Sequence, residues 1–121
     1  MSKTEHRIQD EIRLALSEYG IVLRLNSGKA YSGNRIFDNR RGTYILTELR
    51  TIALCPKGTP DLLFIGANGT IAFIEVKNDS GKLREDQKLF LGLMQNYGYR
   101  CGVARSPDEA LRIIGVNPNR L

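Results

Sequence analysis

The sequence predicts one α/β domain: a mixed central sheet flanked by helices. Three observations predict it. The chain has 121 residues, 41% hydrophobic and 26% charged, which suits a soluble domain with one modest core. Its apolar spacing switches between a helical and an alternating period, in the order α-β-(β)-β-β-α-β-α. Two apolar runs, LLFIG and TIAFI, flank a tight ANG turn, the pattern of a hairpin.

Residues 3–19, KTEHRIQDEIRLALSEY, predict a helix, with Ser2 or Thr4 as N-cap and Gly20 as the stop. IVLRL, residues 21–25, predicts a strand. Residues 26–42, rich in Gly, Asn, Ser and Arg, read as a long loop, and such a loop inside a compact domain is often functional. TYILTEL (43–49) and RTIALC (50–55) are strand material. The hairpin follows, with strands near 61–65 and 70–77, and then a loop, NDSGK. A helix is expected over 83–97, a strand over 99–104, and a short helix over 106–114. Ser106 is its N-cap, with Pro107 at the first helical position. No repeat, low-complexity tract or long linker divides the chain into further domains.

The net charge is +5, which suits a polyanionic partner such as nucleic acid. No apolar run approaches the roughly 20 residues of a membrane span. The polar start, MSKTEHRIQDE, does not resemble a signal peptide. Cys55 and Cys101 match no CxxC pattern, so both are expected to be reduced, buried packing residues in a cytoplasmic protein. His6 is the only histidine, which disfavours zinc sites and histidine-based triads.

The hairpin carries charges where a core strand would not. Asp61 opens its first strand; Glu75 and Lys77 close its second. A three-residue loop with Gly69 left-handed puts Gly66 opposite Thr70, and so Asp61 opposite Glu75. By strand alternation Glu75 and Lys77 share a face with Ile71 and Phe73. Two close carboxylates raise each other's pKa, an arrangement relieved by a hard divalent cation between them. Lys77 would then lie beside the ion, its own pKa lowered, where it could orient or deprotonate an attacking water. The alternative makes Asp61 a turn residue after Pro60, and Glu75 and Lys77 a solvated strand end. On the hairpin alone both readings stay open.

The first helix offers a third acid. At about 100° per residue, Ile8, Gln9, Ile12, Leu16 and Tyr19 fall within about 45° of Glu5, so Glu5 and Gln9 lie on the apolar stripe. A buried acid there needs a partner, which the hairpin patch could supply. Otherwise Glu5 stays wet and complements the helix dipole.

Together these residues resemble the PD-(D/E)XK nuclease superfamily, and more narrowly a stand-alone VRR-Nuc domain of the phage and bacterial type. The resemblance covers Glu5 to about Leu111. It rests on Glu5, Ile8, Gln9 and Ile12 in the first helix, R-L-N-S-G (Arg24 to Gly28), G-T-P-D (Gly58 to Asp61), E-V-K (Glu75 to Lys77) and G-K-L-R-E-D-Q (Gly81 to Gln87). It implies a restriction-endonuclease-like fold. Asp61, Glu75 and the Val76 carbonyl would bind Mg²⁺ or Mn²⁺, with Glu5 completing the acidic cluster directly or through water. Lys77 would assist the nucleophilic water, and Gln87 would support the site or touch the DNA backbone. The implied activity is hydrolysis of phosphodiester bonds in DNA, often branched, by a two-fold homodimer resembling Holliday-junction resolvases. The family varies where this chain reads Ala104, Arg105 and Ser106, and that departure puts no catalytic residue in doubt.

Two basic groups flank the expected site. Residues 26–42 carry Lys29, Arg35, Arg40 and Arg41, with Tyr31 and Phe37 able to stack on unpaired bases. Lys82, Arg84 and Lys88 begin the helix after the second hairpin strand, Lys88 reading better as a solvated residue. Arg24 and Asn26 are expected to point toward the site or toward DNA. Leu83, Leu89, Phe90, Leu93, Met94 and Tyr97 read as core, although an exposed apolar strip there could serve a dimer. The expected function is a metal-dependent, structure-selective DNA endonuclease. The alternatives are a flap, nicking or restriction-type nuclease of the same fold, or a non-catalytic DNA-binding module; RNA remains open as a substrate.

Overall fold

The computed structural model describes residues 3–27 and 29–120, with the backbone alone for Lys29 and Arg120. The capping candidate Ser2 and the motif residue Gly28 lie outside the described residues. The order is α1 (Glu5–Leu16), β1 (Gly20–Arg24), β2 (Lys29–Asp38), β3 (Thr43–Ala53), β4 (Leu62–Gly66), β5 (Ile71–Val76), α2 (Glu85–Asn96), β6 (Arg100–Ala104) and α3 (Pro107–Ile113), before a 3₁₀ turn at Pro118–Arg120.

The predicted class holds: a four-stranded mixed sheet, β1-β4-β5-β6, with helices on both faces. β1, β4 and β5 run antiparallel, and β6 joins β5 in parallel through the crossover helix α2. The ladder Leu62↔Ile74 to Ile65↔Ile71 has the predicted hairpin register, and Gly66 N–H donates to the Thr70 carbonyl at 2.8 Å. Gly69 takes the left-handed conformation the loop requires (φ 84°). α1 starts where the Thr4 hydroxyl accepts the Arg7 N–H. It ends three residues earlier than predicted, because the Ser17 hydroxyl donates to the Leu14 carbonyl at 2.6 Å and the chain turns there into β1. α3 begins at Pro107, with the Ser106 hydroxyl accepting the Glu109 N–H.

The core lies between the sheet and α1 with α3. Ile8, Ile12 and Leu16 of α1 meet Leu62, Phe64, Ala72, Ile74, Val76 and Ala104 of the sheet and Ala110 and Leu111 of α3. α2 covers the opposite face only beside β5 and β6, where Phe73 meets Phe90 edge-on with ring centres 5.9 Å apart. That corrects the predicted α2 core. Leu91 and Met94 are buried, whereas Leu89, Leu93 and Tyr97 are exposed. A helix on an open sheet edge buries one stripe, narrower than the apolar residues it carries. Ile21, Leu23 and Ile65, on the same sheet face, are exposed as well. Cys55 and Cys101 are free thiols but half-buried rather than buried.

The predicted loop at residues 26–42 is a second correction. Most of it is strand β2, which forms a two-stranded ribbon with β3, and the two predicted strand fragments at 43–55 merge into β3. Cross-strand pairs hold the ribbon: Phe37 meets Tyr44 edge-on, the Arg35 guanidinium lies 3.7 Å over the Tyr44 ring, and the Asn34 amide donates to Glu48. A register shift between Ser32 and Asn34 breaks the alternation, so no period of two is visible there. Gly33 sits at the shift, where a Cβ would fall 2.6 Å from the Thr47 carbonyl oxygen. Among the described residues no helix is long and apolar enough to cross a membrane.

Candidate active site

Asp61, Glu75, Lys77 and Gln87 converge where the β4–β5 hairpin opens toward α2. Asp61 stands one residue before β4. Its carbonyl accepts the Leu25 N–H at 2.8 Å, and its Oδ2 accepts the Val76 N–H at 2.9 Å. The side chain thus takes over a ladder position from the backbone and is fixed on both sides. The run before it is packed in place: Gly58, Thr59 and Pro60 are buried, and the Thr59 hydroxyl donates to the Pro56 carbonyl at 2.6 Å. Gly58 has φ 94°, and a Cβ there would fall 2.6 Å from the Asp86 carbonyl oxygen, so the glycine lets this run touch the start of α2.

Glu75 is buried at the end of β5. Its Oε1 accepts from the Gln87 amide at 3.1 Å and lies 3.8 Å from the Lys77 ammonium. Its Oε2 is buried with no hydrogen-bond partner. Burial above all, and then the neighbouring Asp61 carboxylate, push the Glu75 pKa up to about 8, against the opposing charges of Lys77 and Arg84. Gln87 works in two directions, because its Oε1 also accepts the Arg84 N–H that opens α2. Lys77, buried too, is anchored by its N–H on the Ala104 carbonyl of β6.

Two neighbouring carboxylates, one of them buried with an oxygen unpartnered, are a donor set that fits a hard divalent cation. The expected third acid is not in the cluster. Among the described residues no three His, Cys, Asp or Glu side chains are grouped to hold one metal ion. Glu5 is exposed in the first turn of α1, while Gln9, one turn on, is buried with its amide oxygen unpartnered. A Cβ on Gly81 would fall 2.9 Å from Glu5 Oε1 and 3.2 Å from Lys77 Cδ, so Glu5 stands at the rim of the site rather than inside it.

The basic residues lie around this centre in different states. Arg84, exposed, leads into α2 and pairs with Asp86 at 3.2 Å; Lys82 is exposed beside it. Arg24 is exposed at the end of β1, and the carbonyl of the exposed Asn26 accepts the Cys55 N–H at 2.9 Å, tying the base of the ribbon together. Arg35 is stacked on Tyr44, Arg41 pairs with Asp38 at 3.5 Å, and Arg40 is exposed at the ribbon's turn. The side chain of Lys29 lies outside the described residues. Reading the sequence missed the part played by Arg105, whose guanidinium donates to the carbonyls of Asn78 and Gly81. No spacing rule points from position 105 to position 78.

The family model described as "VRR-NUC domain" matches residues 3–108. A solved structure described as a VRR_NUC domain is similar in fold, with a TM-score of 0.59 at 23% identity over 93% of this chain and 96% of that chain. No curated protein matches the chain.

Proposed function

The chain belongs to the VRR-NUC domain family, and from that premise we propose that this nuclease-type domain is a metal-dependent DNA endonuclease that selects branched substrates, as a Holliday-junction resolvase does. The observation that carries the reading is Glu75: a buried carboxylate beside Asp61, with one oxygen lacking any partner. A bound cation between the two carboxylates would supply the partner that this oxygen lacks. Asp61, Glu75 and the Val76 carbonyl would hold Mg²⁺ or Mn²⁺, with Glu5 reaching it through water from the rim. A bound ion of this kind would polarise the scissile phosphate and stabilise the charge that develops on it. Gln87 holds Glu75 in place, and the Val76 N–H holds Asp61. Lys77 would orient the attacking water, and in its neutral amine form, the only form with a free lone pair, it would take up that water's proton. Lys82 and Arg84, at the start of α2, would meet a phosphate near the reacting one. Arg24, Asn26 and the ribbon residues Lys29, Arg35, Arg40 and Arg41 would follow the backbone away from it.

A four-way junction needs two coordinated cuts, and each chain carries one such cluster, so the active species is a homodimer. The exposed apolar residues Leu89, Leu93 and Tyr97 of α2 and Ile21 and Leu23 of β1 support this, since a second copy would cover them. Labelled four-way junction, flap and linear duplex, each with Mg²⁺, Mn²⁺ or EDTA, test the proposal. We expect metal-dependent cutting of the junction ahead of the duplex, and a dimer by light scattering. Cutting in EDTA would refute the metal, and equal cutting of all substrates would refute the selectivity. Salt-sensitive binding with no cutting would identify a DNA-binding module instead. The triple variant Arg35→Ala, Arg40→Ala, Arg41→Ala is expected to weaken junction binding about tenfold and to flatten its salt dependence. Unchanged binding would remove the ribbon from the DNA interface.

A further inference from the structure

We propose that Arg105 is a positioning residue for the Lys77 ammonium, acting through the turn at residues 78–81; the catalytic part of this rests on the nuclease reading above. Arg105 follows β6 directly and is half-buried. Its backbone is held from behind, because its N–H donates to Glu109 Oε1 at 3.1 Å while Ser106 caps α3. Its side chain reaches in the opposite direction along the chain. Nη1 donates to the Asn78 carbonyl and, at 2.7 Å, to the Gly81 carbonyl. The Asn78 carbonyl also accepts the Gly81 N–H at 3.2 Å, so one guanidinium closes the turn at both ends.

The turn in turn bounds Lys77. A Cβ on Gly81 would come within 2.9 Å of Glu5 Oε1, 3.1 Å of Asn78 Oδ1 and 3.2 Å of Lys77 Cδ. The hydrogen side of Gly81 therefore faces the space shared by the Lys77 stem and the Glu5 carboxylate. The Lys77 ammonium itself lies 3.8 Å from Glu75, an ion pair too long to be a hydrogen bond that would fix its direction. Its position is then set along the stem, where the turn carrying Gly81 passes beside Lys77 Cδ. Arginine suits the task because its planar fork offers several donors in a fixed arrangement; a lysine there presents a single point charge.

Three variants test this: Arg105→Ala, Arg105→Lys and Gly81→Ala. Single-turnover cleavage is measured well below each variant's melting temperature, with DNA affinity measured separately. The ε-carbon signal of Lys77 and the exchange of the 78–81 amides are followed by NMR without DNA. Arg105→Ala is expected to lower the cleavage rate about 10- to 100-fold, with DNA affinity within about threefold of wild type. Its turn amides exchange faster, and its Lys77 signal moves toward that of an exposed lysine. Arg105→Lys lies between wild type and alanine in both readouts. Gly81→Ala reproduces the rate loss from the other side of the contact, with Arg105 intact. The proposal is overturned if Arg105→Ala loses melting temperature alone while the rate and the Lys77 signal stay at wild-type values. If the wild type itself cuts no substrate, the nuclease reading fails, and the Lys77 signal and amide exchange decide the positioning claim without it.

Discussion

Lys77→Ala is expected to lower the cleavage rate about 10³-fold while leaving DNA affinity nearly unchanged, the size of loss that follows removal of a general base. Lys77 is buried beside Glu75, with its ammonium 3.8 Å from the carboxylate, too far inside to contact DNA along an exposed surface. Its removal therefore affects the chemical step rather than binding. Lys77→Arg is not expected to restore the rate. A guanidinium stays protonated at any working pH and cannot take up the proton of the attacking water. The measurement is a single-turnover time course at saturating protein, alongside a binding isotherm in EDTA and a circular-dichroism melt. A variant that binds, melts like the wild type and still cuts at more than about a tenth of its rate would remove Lys77 from the mechanism.

Glu75→Gln is expected to move activity and stability in opposite directions. Glutamine is nearly isosteric with the protonated acid, which the folded protein favours. With the folded pKa raised to about 8 against an ordinary value of 4.5, the folded state holds a proton that the unfolded chain has released. The unfolded chain ionises first as pH rises, so the wild type loses stability from the ordinary carboxylate range up to about pH 8. Below that window glutamine brings little change. At pH 8 it is expected to stabilise the metal-free protein by about 2 kcal/mol, less than the full shift implies because Lys77 loses its anionic partner. That corresponds to a melting temperature higher by roughly 10 °C for a domain of this size. Mg²⁺ should raise the melting temperature of the wild type but not of the variant, since a ligand that binds only the folded state stabilises it by mass action. Cleavage should be lost. Equal effects of the substitution at pH 5 and pH 8 would mean that Glu75 does not carry the shifted proton.

The same proton links metal binding to pH. A cation must displace it from Glu75, so metal affinity is expected to rise with pH until about pH 8 and then level off.

Much of the fold was legible before any coordinate was known, because its signals are local. Thr4 and Ser106 are capping residues, Pro107 is fit for a first helical turn, and Gly69 is fit for a left-handed loop position; each acts on neighbours three or four residues away. The hairpin register follows from loop length, and with it the pairing of Leu62 with Ile74, which brings the neighbouring Asp61 and Glu75 to the same end of the hairpin. The ribbon was missed because its register shift interrupts the alternation that marks a strand. The exposure of Leu89, Leu93 and Tyr97 was missed because an apolar residue facing an uncovered surface has the same sequence signature as one facing a core.

By itself, then, the sequence determined which chemical groups this protein has and which of them share a strand: two carboxylates and a lysine at one end of a hairpin. Only the tertiary structure decided which groups are buried together. It paired Gln87 with Glu75, left Glu75 Oε2 without a partner, placed Glu5 at the rim, and joined Arg105 to a turn more than twenty residues earlier in the chain. The physical reason is that burial, and with it the raised Glu75 pKa, depends on elements distant in sequence packing over the strand's end. A hydrogen bond across such a distance leaves no periodic trace in the chain.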